Sequence, residues 1–270
     1  MSLRILFVVI IFIGAFAQSS AQSVANDSPG VPAAVIRGIE QTGRQIFVLD
    51  AAARVATDAL GEIRAFKKDR RLKGWITEET PEGILVNFVG GKRAAQVSVF
   101  YRALVSIDGQ LKGMPEALKV PTILTSEQLA QFRARQLGLS NIDVHCSKSY
   151  NSVVLPRNSL DSNWIVYALP ATKKAGVFPV GGSYRIETDP AGASVLSRRG
   201  FTKSCIDMTV RPDAVALTLS HLLDPNPTEI HVLLNLLSST NVFIITVDNR
   251  ALWGISKGRI HFVKTFEEKG

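Results

Sequence analysis

Catalytic signatures are missing from this chain. It has no G-x-S-x-G, no G-x-x-x-x-G-K-[ST], no H-E-x-x-H and no paired C-x-x-C. The strained serine elbow, the phosphate-cradling loop and the two-histidine zinc helix are therefore excluded in their usual forms. Histidine is scarce, with four in 270 residues, and cysteine scarcer, with two. Aromatics make up 7%, and Trp164, Trp253 and Tyr184 read as packing residues rather than sugar platforms. After the N-terminus, no apolar run is long enough to span a bilayer. The densest, Val232 to Val247, is interrupted by Asn235, Ser238-Ser239-Thr240 and Asn241.

What is present begins with an address. Arg4 precedes an apolar run from Ile5 to Phe16, broken by Gly14. Ala15-Phe16-Ala17 and Ser19-Ser20-Ala21 then suit a signal peptidase. Such a run, about a dozen residues, has the length of a secretory signal and falls short of a comfortable span. The expectation is a signal peptide over residues 1–21, a linker over 22–31, and a periplasmic or secreted product with no transmembrane segment after cleavage. In an oxidising compartment Cys146 and Cys205 read most simply as one disulfide, with a thiolate ligand or nucleophile as the alternative.

The formal charge is +8, and cleavage would remove Arg4 and no acid, leaving +7. This favours an anionic envelope component or an envelope protein complex as partner. Lys67-Lys68-Asp69-Arg70-Arg71-Leu72-Lys73-Gly74 has two readings: a phosphate-binding patch, or a solvated helix end stopped by Gly74. No aromatic platform is interleaved except Trp75, so no nucleic-acid partner is expected.

Val31 to about Phe66 reads as helix, with a break expected near Gly43. Asp50 and Arg54 are placed as an exposed i,i+4 ion pair. From Trp75 the period changes to two. Trp75–Thr77 and Ile84–Val89 flank Glu78–Gly83, which contains Pro81 and Gly83, as a hairpin, and Ala95–Ile107 follows as a strand. Thr125 and Gln128 form a capping box for a helix over about 125–137. A subdomain boundary near residue 140 would separate 32–139, helix plus hairpin, from 140–270, mixed α and β. One domain is the alternative.

In the second region Trp164–Leu169 and Tyr184–Thr188 are strands, and Asp189-Pro190-Ala191-Gly192 is a type I turn. Asn226 as N-cap, Pro227 at N1 and Glu229 at N3 predict a helix over about 227–238. Three antiparallel strands close the chain. The fold class expected is α+β with a largely antiparallel sheet, an N-terminal helical segment and two further helices.

The stretch from Ser220 to His231, S-H-L-L-D-P-N-P-T-E-I-H, concentrates the polar chemistry. His221 ends an apolar strand, where its side chain is expected to project into the loop. His231 lies one turn beyond Thr228 on the same helix face. His221, Asp224 and His231 would give three protein ligands and an open position, which is how catalytic zinc is held. Glu187 and Glu229 are the candidate catalytic carboxylates. The competing reading is that the same residues set the turn and cap the helix.

At these residues the chain resembles the JAB/MPN metalloprotease family, whose motif is H-x-H, a loop, and S-x-x-D opening a helix, with a Glu on an earlier strand. His221 matches the second His, Thr228 the Ser and His231 the Asp, and Glu187 is the candidate upstream Glu. The first-His position is Leu219, and the Pro after the second His is Leu222. The loop is one residue short. The resemblance covers residues 214–264 and implies a degenerate zinc hydrolase. The stretch also resembles uncharacterised exported bacterial proteins, which adds no function. The function expected first is an exported binding or envelope-assembly protein without catalysis or cofactor; a zinc-dependent hydrolase is the alternative.

Overall fold

The computed structural model describes residues 30–91, 97–172 and 174–267. The expected signal peptide and all but the end of the 22–31 linker lie outside the described residues. Helix α1 (Ala33–Gly61) and the single-turn α2 (Arg64–Lys67) lead into a meander. Its strands are β1 (Leu72–Thr80), β2 (Gly83–Gly90), β3 (Ser98–Val105) and β4 (Leu111–Ile123), each antiparallel to the next. Helix α3 (Ser126–Ser140) follows. Then come β5 (Tyr150–Val154), β6 (Trp164–Pro170), β7 (Val177–Pro179), β8 (Tyr184–Thr188), β9 (Val195–Gly200) and β10 (Asp207–Thr209). They form an antiparallel sheet in the order β5-β6-β8-β9 and a two-stranded β10-β7 ribbon.

The chain closes with β11 (Ala216–His221), α4 (Glu229–Ser238), β12 (Asn241–Thr246), β13 (Ala251–Ser256) and β14 (Arg259–Thr265). β11 and β12 are parallel, because α4 carries the chain back between them. The β12-β13-β14 pairs are antiparallel. The fold is α+β and mostly antiparallel, as the switches of hydrophobic period require.

α1 is the common wall of the molecule. Ile46, Leu49, Ala53, Ala56 and Leu60 recur at steps of three and four, so one stripe faces inward. That stripe meets Val86 and Phe88 of β2, Val105 of β3, Tyr167 of β6 and Ile230 and Leu233 of α4 in a single cluster. Regions 32–139 and 140–270 therefore share a core. At its other end, Ile36 and Ile39 pack beside Val232, Ile244 and Trp253. Glu40, 4% exposed, accepts hydrogen bonds from Ile260 N at 2.7 Å and Arg259 Nη1 at 2.9 Å. This carboxylate ties α1 to β14.

Several local expectations are corrected. α1 does not break at Gly43. A Cβ there would lie 2.5 Å from Val232 Cβ and 2.9 Å from the Glu229 carbonyl oxygen, so glycine serves the α1–α4 crossing. Gly74 does not stop a helix. It sits within β1 at φ +150, beside a register shift, with the Arg135 guanidinium over it. That guanidinium is buried, stacks 4.3 Å from the Trp75 ring centroid, and leaves its Nε without a partner.

Other expectations hold, the cap and the turn because their partners are local. Gln128 N donates to Thr125 Oγ1 at 3.2 Å, and Thr125 N to Gln128 Oε1 at 3.0 Å. Gly192 N donates to the Asp189 carbonyl at 2.9 Å, closing the turn. Cys146, in the α3–β5 connection, is bonded to Cys205, in the β9–β10 connection, with an S–S distance of 2.06 Å.

Candidate functional site

The fold brings His221, Asp224 and His231 into one polar junction, where the β11–α4 loop meets the outer strand β9. His221 is the last residue of β11, and its side chain turns inward, 3% exposed, rather than out into the loop. Its Nε2–H donates to Asp224 Oδ2 at 2.7 Å. Arg199 of β9 donates through Nη2 to the same oxygen. Asp224 is thus shared between an imidazole and a guanidinium.

The start of α4 differs from the sequence expectation. Thr228, not Asn226, is the N-cap, in extended conformation at φ -116 and ψ 169. Glu229 is the first helical residue, not N3, and Pro227 precedes the cap. The N3 residue is His231. Its Nδ1 accepts from Thr228 N at 3.0 Å and lies 3.2 Å from Thr228 Oγ1. An imidazole therefore plays the part that Gln or Glu plays in an ordinary capping box.

Accepting at Nδ1 fixes the neutral tautomer with its proton on Nε2. The ring stands edge-on to His221, centroids 4.7 Å apart. Burial, then the charge of His221, then that of Arg199, hold the His231 imidazole far below its usual value, at about 3.

The two candidate carboxylates lie apart from this hydrogen-bonded set. Glu187 accepts from Asn163 Nδ2 at 2.8 Å and Ser197 Oγ at 3.2 Å, and faces Arg185 Nη1 at 3.7 Å. Glu229 Oε1 accepts from Tyr167 Oη at 2.7 Å. Burial and then Glu229 push the Tyr167 phenol upward, so it stays protonated and donates. Glu229, Tyr167 and Arg185 line an open cleft of about 380 Å³, together with Val35, Ile39 and Leu155. Arg185 and Arg199 are cross-strand partners in β8 and β9, so the cleft and the histidine junction adjoin through that pair.

Sequence reasoning passed over Tyr167, Arg185 and Arg199. Their signal is faint: Tyr167 reads as one more core residue of β6, Arg185 and Arg199 read as outward-facing strand residues, and sheet pairing alone brings them to α4. It also expected Asp50 and Arg54 to pair. Arg54 is exposed as expected, but Asp50 is partly buried, no salt bridge joins them among the described residues, and both line a groove between α1 and the ends of β5 and β6, with Asn151.

Among the described residues, no group of three His, Cys, Asp or Glu side chains is arranged to hold a metal ion, and no helix is long and apolar enough to cross a membrane. A metal at His221 and Asp224 would also meet the Arg199 guanidinium. No family model, curated protein or solved structure matches the chain.

Proposed function

We propose that this chain is an exported binding protein of the cell envelope that works without catalysis. The observation carrying the proposal is that the junction of His221, Asp224 and His231 is consumed by the fold. A general base needs access to a substrate and a protonation equilibrium near neutrality. His231 is buried, titrates at about 3, and spends its lone pair on the Thr228 amide. Thr228, the nearest hydroxyl, is itself 3% exposed. His221 is locked against Asp224, which Arg199 neutralises.

The resemblance to the JAB/MPN family runs through the order strand, loop, helix, strand and hairpin. It fails at the ligands, since Leu219 replaces one His and His231 caps its own helix. Export is supported by the leader pattern of residues 1–21 and by the Cys146–Cys205 bond, which suits an oxidising compartment.

The test is a reporter screen with ester, peptide and phosphoester substrates, using untagged mature protein with and without added zinc. No turnover above buffer is expected. Turnover that disappears in His221→Ala overturns the reading. Export is checked by sequencing the N-terminus of the mature protein, expected near Gln18 or Gln22; an intact Met1 on the extracytoplasmic protein would sink the cleavage.

A further inference from the structure

We propose that the groove at Asp50 and Arg54 is a receptor for a zwitterion with an apolar side chain: an α-amino acid or a short peptide with free ends. The proposal rests on the binding-protein reading and supplies its ligand class. The groove has two lobes that meet at Asp50, Arg54 and Asn151. One, of about 220 Å³, carries Thr57, Asp58 and Trp75. The other, of about 280 Å³, is walled by Leu169, Phe178, Ile230, Leu233 and Leu237. A largely apolar pocket with a few convergent polar groups is the usual form of a small-molecule site, at roughly 300–1,000 Å³.

The charges select the ligand. Opposite charges four residues apart on a helix normally pair. Here, among the described residues, no salt bridge joins Asp50 to Arg54; Asp50 senses the guanidinium only through space. The hydrogen bond to Asp50, from Asn151 Nδ2, is long at 3.3 Å. Burial pushes the Asp50 carboxyl above its ordinary range, and Arg54 opposes this more weakly. The carboxylate therefore lacks an adequate counter-charge, which a ligand ammonium would supply. Arg54 offers a planar fork to a carboxylate one helical turn away. The ligand side chain would then lie on Phe178 and Leu233.

The cleft at Glu229 also holds both signs of charge, but there Tyr167 and Glu187 already engage them. A simple anion would leave the partly buried Asp50 carboxylate uncompensated, and a simple cation would leave the Arg54 fork at the rim of the groove unused.

The experiment is calorimetric titration of the mature protein with L-leucine, L-phenylalanine and leucyl-leucine to millimolar concentration, with melting curves alongside. At least one is expected to bind. Leucinamide and 4-methylpentanoate keep the side chain and drop one charge each; for them, at least tenfold weaker binding is expected. Asp50→Asn should weaken binding at least tenfold. So should Leu237→Glu, at a wall position 38% exposed that tolerates a polar residue without unfolding.

No heat and no melting shift with all three ligands overturns the proposal. So does equal affinity for leucinamide or 4-methylpentanoate. Hydrolysis of leucyl-leucine would overturn the non-catalytic reading, and its loss in Leu237→Glu would still support the groove as the binding site, so the two failures are separable.

Discussion

His231 links local structure to pH. Folded, it is neutral down to about pH 3; unfolded, it titrates near its ordinary value of about 6.5. Between those values the unfolded chain binds one proton more than the native chain. Stability therefore rises with pH across that window and is lost as pH falls from about 6.5 toward 3, at up to ~1.4 kcal/mol per unit. In His231→Gln, the amide can accept from Thr228 N and keep the capping box, but it has no proton to gain. Urea midpoints measured from pH 7 to pH 4 should fall less steeply in the variant than in the wild type. Parallel slopes would remove His231 as the source. The gathering of His221, Asp224 and His231 was legible because all lie within eleven residues. Their roles were not. Arg199, which shares the Asp224 carboxylate with His221, arrives from another sheet, and no local pattern announces it.

The elements show the same division between local and distant causes. The α3 cap was readable because Thr125 and Gln128 satisfy each other three residues apart. The α4 cap was displaced by two residues because Asn226 and Thr228 are both competent, and His231 decides between them. Gly43 reads locally as a helix breaker, yet its reason is the approach of Val232, nearly two hundred residues away in sequence. This gives a paired test on α1. At Gly38 a Cβ meets nothing within 4 Å, so Gly38→Ala should stabilise by roughly 0.4–1 kcal/mol through helix entropy. At Gly43 the same entropy gain meets a 2.5 Å contact with Val232 Cβ, so Gly43→Ala should destabilise by about 1–3 kcal/mol. Chemical denaturation of both variants checks the opposite signs; two stabilised variants would show that α1 and α4 do not press together there.

At the scale of the whole molecule, α1 draws the meander, the second sheet and the C-terminal sheet onto one apolar stripe. The cysteine bond works differently. It joins the connection before β5 to the connection after β9, closing the span of the second sheet, over a separation of 59 residues. Because that sheet already packs on α1 and α3, reduction should loosen the chain without dissolving its core. In the chain-entropy account a loop of this size is worth ~4 kcal/mol, and each kcal/mol moves the melting point of a 150–250-residue protein by about 2–4 °C. Cys146→Ser/Cys205→Ser should therefore remain folded by circular dichroism and melt roughly 8–16 °C lower. Leaderless protein made in a reducing cytoplasm and assayed before air oxidation should show two titratable thiols and the same lowered melting point. An unchanged melting point in both would mean that packing on α1 alone fixes the two connections, and it would remove the bond as a structural argument for the proposed export.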